Sequence, residues 1–132
     1  MKLITKDVGY AVRAICFIAK KNKRIVSVSE LAKCLKIPLP FLRKLLQVLS
    51  KKRILKSHKG KGGGFMLAIP INKIFLIDLI RIFQGPLELI ECIFKKKTCP
   101  HIKTCKLKKR IDKIQKYLVS ELKNITIVAL LK

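Results

Sequence analysis

Apolar residues recur every three to four positions over much of the chain, which is the spacing of helices with one buried face. The first such segment runs from Asp7 to Lys20, and the second runs from about Val28 to Leu35. Ser27 and Glu30 fit a capping box, in which the Ser27 hydroxyl accepts from the Glu30 N–H and the carboxylate reaches back. The pattern therefore predicts two helices, separated by the polar sequence KNKR.

A third apolar pattern begins at Pro40, a residue that suits the first turn of a helix. It contains Phe41, Leu42, Leu45, Leu46 and Leu49. Two short strands are predicted next, from Arg53 to Ser57 and from Phe65 to Ile69, joined by the sequence HKGKGGG. Glycine allows such a connection to adopt positive φ and lets its backbone approach phosphate closely. Two short helices followed by a basic hairpin are typical of a winged helix-turn-helix.

The last third of the chain predicts two further helices. One spans Ile74 to Phe83 and is ended by Gly85 and Pro86. The other is a long amphipathic helix whose apolar positions recur at spacings of four and three, namely Leu107, Ile111, Ile114, Leu118, Leu122 and Ile125. This row of residues could pack on its own domain, but the first three helices already supply that core, so the pattern favours a dimer interface. The predicted fold is mainly α, a winged helix-turn-helix with a two-stranded β wing and a long C-terminal dimerisation helix.

Charge indicates the partner. The chain has 132 residues, which suit one small domain, and a formal net charge of +24. No acidic residue lies between Glu30 and Asp78, whereas eleven Lys or Arg lie there. An AT-rich genome also raises the lysine content of its proteins. Such a bias in genome composition would not remove every acidic residue from a third of the chain. The distribution therefore indicates a polyanionic partner, namely nucleic acid.

Several other classes of protein are disfavoured. The longest apolar runs, such as Ile125 to Leu131, are far shorter than a membrane span, and the first ten residues lack the apolar region of a secretory signal. We expect no membrane association and a cytoplasmic location. The chain has no CxxC motif and no pair of carboxylates placed for acid–base chemistry, so an enzyme is not expected.

Three cysteines indicate a metal or redox site. Cys92, Cys99 and Cys105 lie in a lysine-rich segment that is too polar to be core. Nearby positive charge favours the thiolate, the form that binds metal. An iron–sulfur cluster, a zinc site completed by His101 and a thiol switch all remain open. Cys16 and Cys34 differ, because each lies among apolar residues of a predicted helix, where we expect it to be buried and inert.

The whole chain resembles the IscR/NsrR-like family of bacterial winged-helix transcription regulators. The resemblance is carried by the segments LITKDVGYAVRAI, SELAKCLKIPLPFLRKLLQVLSKKRIL, SHKGKGGGFMLA and LIDLIRIFQGPLELIEC, together with Cys99 and Cys105. It implies a homodimeric DNA-binding regulator, usually a repressor, that senses iron–sulfur, redox or nitric oxide status. The alternative is a zinc-stabilised or cluster-free regulator that binds nucleic acid, including RNA.

The resemblance also implies a cofactor and its ligands. Cys92, Cys99 and Cys105 correspond to the ligands of a 2Fe–2S or 4Fe–4S cluster. The family's fourth ligand has no counterpart at the matching positions of this chain. Lys108 stands where some members have a histidine, and Gly9, before Tyr10, stands where others have an acidic residue. The remaining candidates are Asp7, Glu91 and His101.

The predicted fold assigns roles to the polar residues of the winged domain. We expect the chain to bind a double-stranded DNA operator, with Ser29 among the contacts. The residues expected in the major groove are Pro40, Phe41, Arg43, Lys44 and Gln47, and those expected to contact phosphate are Lys51, Lys52 and Arg53. The residues expected to reach the neighbouring groove or the backbone are His58, Lys59 and Lys61. The predicted divisions are a winged domain over 1–86, a cluster-binding loop over 87–106, and a dimerisation helix with its tail over 107–132.

Overall fold

The computed structural model describes residues 2–21, 24–89 and 105–131. Its elements are α1 (Lys6–Ala19), α2 (Val28–Leu35), α3 (Leu39–Lys51), β1 (Leu55–His58), β2 (Gly64–Leu67), a 3₁₀ turn (Ile71–Lys73), α4 (Leu76–Gln84), α5 (Lys106–Lys123) and a second 3₁₀ turn (Val128–Leu130). The mainly α winged helix-turn-helix predicted from the sequence is confirmed.

α2 has the predicted bounds, but only half of its predicted capping box forms. The Ser27 hydroxyl accepts from the Glu30 N–H at 3.1 Å. The Glu30 carboxylate does not return to the helix start, because it accepts from the Arg24 guanidinium at 2.7 Å. The acidic residue therefore ties the polar segment before α2 to the helix.

α3 begins one residue earlier than predicted. Pro38 is its N-cap, and Pro40 is its second residue instead of its first. Both prolines are tolerated because the first N–H groups of a helix have no partner within it. Four leucines form the buried stripe, namely Leu42, Leu45, Leu46 and Leu49.

The two strands are antiparallel, with Ser57 opposite Phe65 and His58 opposite Gly64. The first strand starts two residues later than predicted because Arg53 adopts a left-handed conformation with φ of 63°. Its N–H donates to the Ser50 carbonyl at 3.0 Å, which closes the end of α3. The N–H and carbonyl of Phe65 also bond to Val26, so the segment before α2 pairs with β2.

α4 begins at Leu76 instead of Ile74. Ile74 and Phe75 are extended because they pair with the segment after α5. The Leu76 N–H donates to the Ile125 carbonyl at 3.0 Å, and the Ile127 N–H donates to the Ile74 carbonyl at 2.9 Å. The helix ends at Gly85, as predicted, and the φ of this residue is 79°.

One apolar core joins α1, the leucine stripe of α3, the base of the hairpin and α4. α1 contributes five buried residues, namely Val8, Ala11, Ala14, Ile15 and Ile18. Leu122 and Ile127 are also buried in this core, so the end of α5 and the segment after it belong to it. No helix within the described residues is long and apolar enough to cross a membrane.

α5 divides into two unlike parts. Near its C-terminus, Leu122 is only 4% exposed, and Leu118 packs against the core. Nearer its N-terminus, Leu107 is 63% exposed and Ile114 is 55% exposed, with Tyr117 exposed beside them. The predicted dimer-facing row is therefore wrong for Leu118, Leu122 and Ile125, which pack within the chain, because the chain after α5 folds back onto α4.

Candidate nucleic-acid interface

One side of α3 is polar, basic and open to solvent. Its residues are spaced by three or four positions and so share one face of the helix, opposite the buried leucines. We call this surface the recognition face, and it consists of Pro40, Arg43, Lys44, Gln47 and Lys51. All five residues are exposed, as a contact with a macromolecule requires.

Two further predicted contact residues lie near the start of the recognition face. Phe41 is 39% exposed, and its ring packs edge-on against Tyr10 of α1, with 5.5 Å between the ring centroids. This contact braces the first turn of α3 against α1. Ser29 is exposed in the first turn of α2.

The wing, which consists of β1, β2 and residues 59–63 between them, presents Lys59 and Lys61 at its exposed tip. Gly62 has a φ of 78°, which few other residues adopt without strain. Gly64 is required for another reason, because a Cβ atom there would lie 2.2 Å from the Val26 carbonyl oxygen. Gly64 thus allows the wing to lie close against the segment before α2.

A cleft of about 420 Å³ separates the recognition face from the wing. We call it the wing cleft, and it is lined by Val28, Gln47, Ser50, Lys51, Ser57, His58, Lys59, Gly60, Gly63, Gly64 and Phe65. Four of the residues predicted to contact DNA meet here. Ser50 and Ser57 also line the cleft but are not among the DNA contacts predicted from the sequence. Helical spacing is the signal for Ser50, because this residue lies three positions after Gln47.

The three consecutive cations at the end of α3 do not form one patch. Lys51 lines the wing cleft, whereas Lys52 lines a separate cleft of about 320 Å³ with Lys73, Asp78 and Arg81. Arg53 is exposed on the left-handed turn before β1. A role for Lys52 and Arg53 as phosphate contacts stays a prediction.

The carboxylates of the described residues do not neutralise this basic surface. Within the described part of the chain, Arg43, Lys44, Lys51 and Lys59 form no ion pair. Ion pairs between described residues lie elsewhere, for example between Arg24 and Glu30 and between Lys108 and Asp112. The cations of the recognition face and the wing are therefore available to an anionic partner.

Cys105 is the one predicted cluster ligand among the cysteines that the structure describes. It is half-buried at the N-cap of α5, where its Sγ accepts from the Lys108 N–H at 3.4 Å. Cys92, Cys99, Glu91 and His101 lie outside the described residues. Asp7 lies in the first turn of α1, and the described residues alone contain no group of three metal ligands.

The prediction for the other two cysteines is wrong for Cys34. This residue is exposed on α2, because the apolar side of that helix runs through Val28, Leu31 and Leu35. Cys16 is half-buried, and burial raises the pKa of its thiol. Cys16 is therefore held in the neutral form, which is the less reactive form.

Comparisons with known proteins agree with this arrangement. A model of the Rrf2 family, described as an iron-dependent transcriptional regulator, matches residues 4–132. An inferred HTH-type transcriptional regulator of Aquifex aeolicus is 37% identical over 97 residues, which are 74% of this chain and 67% of that protein. Protein aau3 of Rhizobium meliloti is 27% identical over 130 residues, which are 98% of this chain and 84% of that protein.

Solved structures share the fold. IscR of T. potens is 25% identical, with a TM-score of 0.73 over 98% of this chain and 85% of that one. CymR of B. subtilis, a global cysteine regulator, is 24% identical, with a TM-score of 0.75 over 98% of this chain and 96% of that one. With its basic recognition helix and wing, the chain belongs to the Rrf2 family of transcription regulators, and it is a DNA-binding protein and not an enzyme.

Proposed function

We propose that the protein is a homodimeric repressor that binds a two-fold-related DNA operator and senses iron–sulfur, redox or nitric oxide status through an iron–sulfur cluster. The observation that carries the DNA-binding mode is the recognition face, an exposed basic surface beside a basic wing. No carboxylate of the residues that the structure describes pairs with its cations. The cluster is supported by the cysteine pattern and by the position of Cys105.

The recognition face has the chemistry that reads base edges. An arginine such as Arg43 can donate two hydrogen bonds to guanine, and a glutamine such as Gln47 can bond adenine through both atoms of its amide. Lys51, Lys59 and Lys61 flank this face and suit phosphates, which position a protein on DNA without specifying its sequence. Base recognition is thus assigned to the middle of α3, and phosphate contacts to its end and to the wing.

The exposed apolar part of α5 supports a dimer. Leu107 and Ile114 are seven residues apart and lie on nearly the same side of the helix, with Tyr117 close by. Large apolar side chains grouped on one exposed surface mark an interaction site. A second copy of α5 would cover them and would place the two recognition faces in a two-fold arrangement that matches a palindromic operator.

Cys105 suits a ligand of an anionic cluster. The N-terminus of a helix stabilises negative charge, and Lys106, Lys108 and Lys109 add positive charge around it. Its sulfur already accepts a backbone N–H bond of the kind that tunes cluster thiolates. Cys92 and Cys99 would supply two more ligands, and Asp7, Glu91 or His101 the fourth. The cluster would supply redox and nitric oxide chemistry.

One hydrogen bond links the chain before Cys92 to α5, because Leu89 donates its N–H to the Gln115 side chain at 3.0 Å. Two more link the end of α4 to the residues before α1. The Gln84 amide accepts from the Thr5 N–H and donates to the Leu3 carbonyl, each at 3.0 Å. A change in the segment that contains Cys92 and Cys99 would thus act on α5 through Leu89, and so on the separation of the two recognition faces.

The test compares cluster-loaded and cluster-free protein on one duplex, selected from random sequences and measured at fixed salt. Cys92→Ala, Cys99→Ala and Cys105→Ala should each abolish the visible absorption and change DNA affinity about 5- to 150-fold, the usual range of allosteric coupling. Cys16→Ala and Cys34→Ala are the matched controls and should do neither. If the purified protein is colourless and contains zinc, the site is a zinc site and not a cluster. If the loaded and free forms bind DNA with equal affinity, the protein does not sense through the cluster.

A further inference from the structure

His58 carries a buried polar atom that has no hydrogen-bond partner. Its Nε2 is buried, and no donor or acceptor of the described residues forms a hydrogen bond with it. No other buried side-chain nitrogen or oxygen of these residues lacks a partner. Buried polar groups are nearly always satisfied, because leaving one unpaired costs its full desolvation free energy. An unpaired nitrogen inside a binding surface is therefore a group whose partner arrives from outside.

The position of His58 indicates where that partner enters. His58 is the last residue of β1, and it lies opposite Gly64, which has no side chain to cover it. It lines the wing cleft together with Gln47 and Lys51 of α3. A DNA backbone that contacts both the recognition face and the wing must pass along this cleft.

The charged groups around His58 favour an anion. α3 contributes Lys51 to the cleft and the wing contributes Lys59, whereas α2 contributes the uncharged Val28. No carboxylate lines the cleft in the described part of the chain. A phosphate in the cleft would therefore lie beside two ammonium groups and the imidazole, and its negative charge would favour the protonated imidazole.

We propose that the wing cleft binds one phosphate of the DNA backbone, held by Lys51, Lys59 and the protonated His58, whose ring turns to donate its Nε2–H. This assignment rests on the proposed DNA-binding mode. Because the bound phosphate stabilises the protonated ring, DNA binding takes up a proton at His58. The added affinity is fully present at low pH and is lost as pH rises through the titration of the ring in the complex.

The experiment measures DNA affinity by fluorescence anisotropy between about pH 6 and pH 8, the range in which histidine changes charge, at constant ionic strength. The wild type should bind about tenfold more tightly at the lower pH, because a tenfold change in affinity corresponds to a pKa difference of one unit between complex and free protein. His58→Gln should bind with almost no pH dependence, because glutamine does not titrate. Lys116→Gln, at an exposed residue of α5 outside the wing cleft, should keep the full dependence. Lys59→Gln should weaken binding at every pH.

A second measurement needs no variant. The ring resonances of His58 are followed by NMR in the free protein, with the DNA duplex and with inorganic phosphate alone. The proposal requires that the duplex shifts the titration of His58 to higher pH. A response to inorganic phosphate combined with pH-independent DNA binding would make the cleft a free-anion site and would overturn it.

Equal pH dependence in the wild type and in His58→Gln, when both bind DNA, would also overturn the proposal while leaving the DNA-binding mode intact. Failure of the wild type to bind any duplex at any pH would instead contradict the DNA-binding mode itself.

Discussion

At the scale of single residues, the recognition face combines side chains that act on DNA in different ways. Arg43 has a planar guanidinium that can donate two parallel hydrogen bonds, whereas Lys44 and Lys51 carry compact charges with no preferred plane. Arg43 lies in the middle of the face, and Lys51 lies beside the wing. From these two positions we propose that Arg43 reads a base and that Lys51 contacts the backbone.

Arg43→Ala should cost about 1–3 kcal/mol of binding free energy on the preferred duplex and should relax the preference at one base position. Lys51→Ala is the matched control, because loss of a phosphate contact should weaken all duplexes equally. It should also reduce the slope of log affinity against log salt concentration by about one. Titrations of preferred and scrambled duplexes at several salt concentrations measure both effects. Equal weakening of all duplexes by Arg43→Ala would make Arg43 a phosphate anchor and would contradict its assignment.

At the scale of secondary-structure elements, α5 combines two roles in one helix. Its C-terminal part packs on α4, and the segment after it pairs with the start of that helix. Its N-terminal part exposes Leu107 and Ile114. The helix is thus both a part of the winged domain's core and the proposed dimer surface.

Leu122→Ala should lower the free energy of unfolding by about 2–5 kcal/mol, because it leaves a cavity in the core that α5 shares with α4. Leu130→Ala makes the same chemical change at a residue that is 45% exposed and should alter stability by no more than about 0.5 kcal/mol. Denaturant unfolding of both variants measures the difference. Similar effects of the two substitutions would show that the end of α5 does not belong to the core.

At the scale of the whole molecule, a net charge of +24 should make both DNA binding and the proposed dimerisation depend on salt. Two copies of so basic a chain repel each other, so a dimer needs apolar contacts to offset the repulsion. The exposed residues of α5 would provide such contacts, and they lie on a different helix from the recognition face.

Ile114→Glu should convert the dimer to a monomer, because it would bury an unpaired carboxylate in an apolar interface at a cost of several kcal/mol. Lys116→Glu is the matched control, since Lys116 is exposed about 200° around the helix from Ile114 and should leave the dimer intact. Analytical ultracentrifugation at micromolar concentration distinguishes the two forms. A monomeric wild type under these conditions would contradict the proposed assembly.

The sequence alone predicted the elements and their chemistry, because these depend on nearby residues. Helical spacing located all five helices, the Gly85–Pro86 pair ended α4, and the glycine run predicted the wing. The absence of acidic residues between Glu30 and Asp78 indicated the polyanionic partner. The recognition face followed from the same spacing, since residues three and four apart must share one side of a helix.

Only the tertiary structure decided which surfaces are covered, because that depends on residues far apart in the chain. Pairing with residues 125–127 extended Ile74 and Phe75, which an isolated apolar pattern would place in a helix. The return of the chain onto α4 divided α5 into a buried end and an exposed one, and the packing of α2 left Cys34 in solvent. The wing cleft, which His58 lines together with residues of α3, likewise depends on an approach of wing and helix that no local pattern specifies.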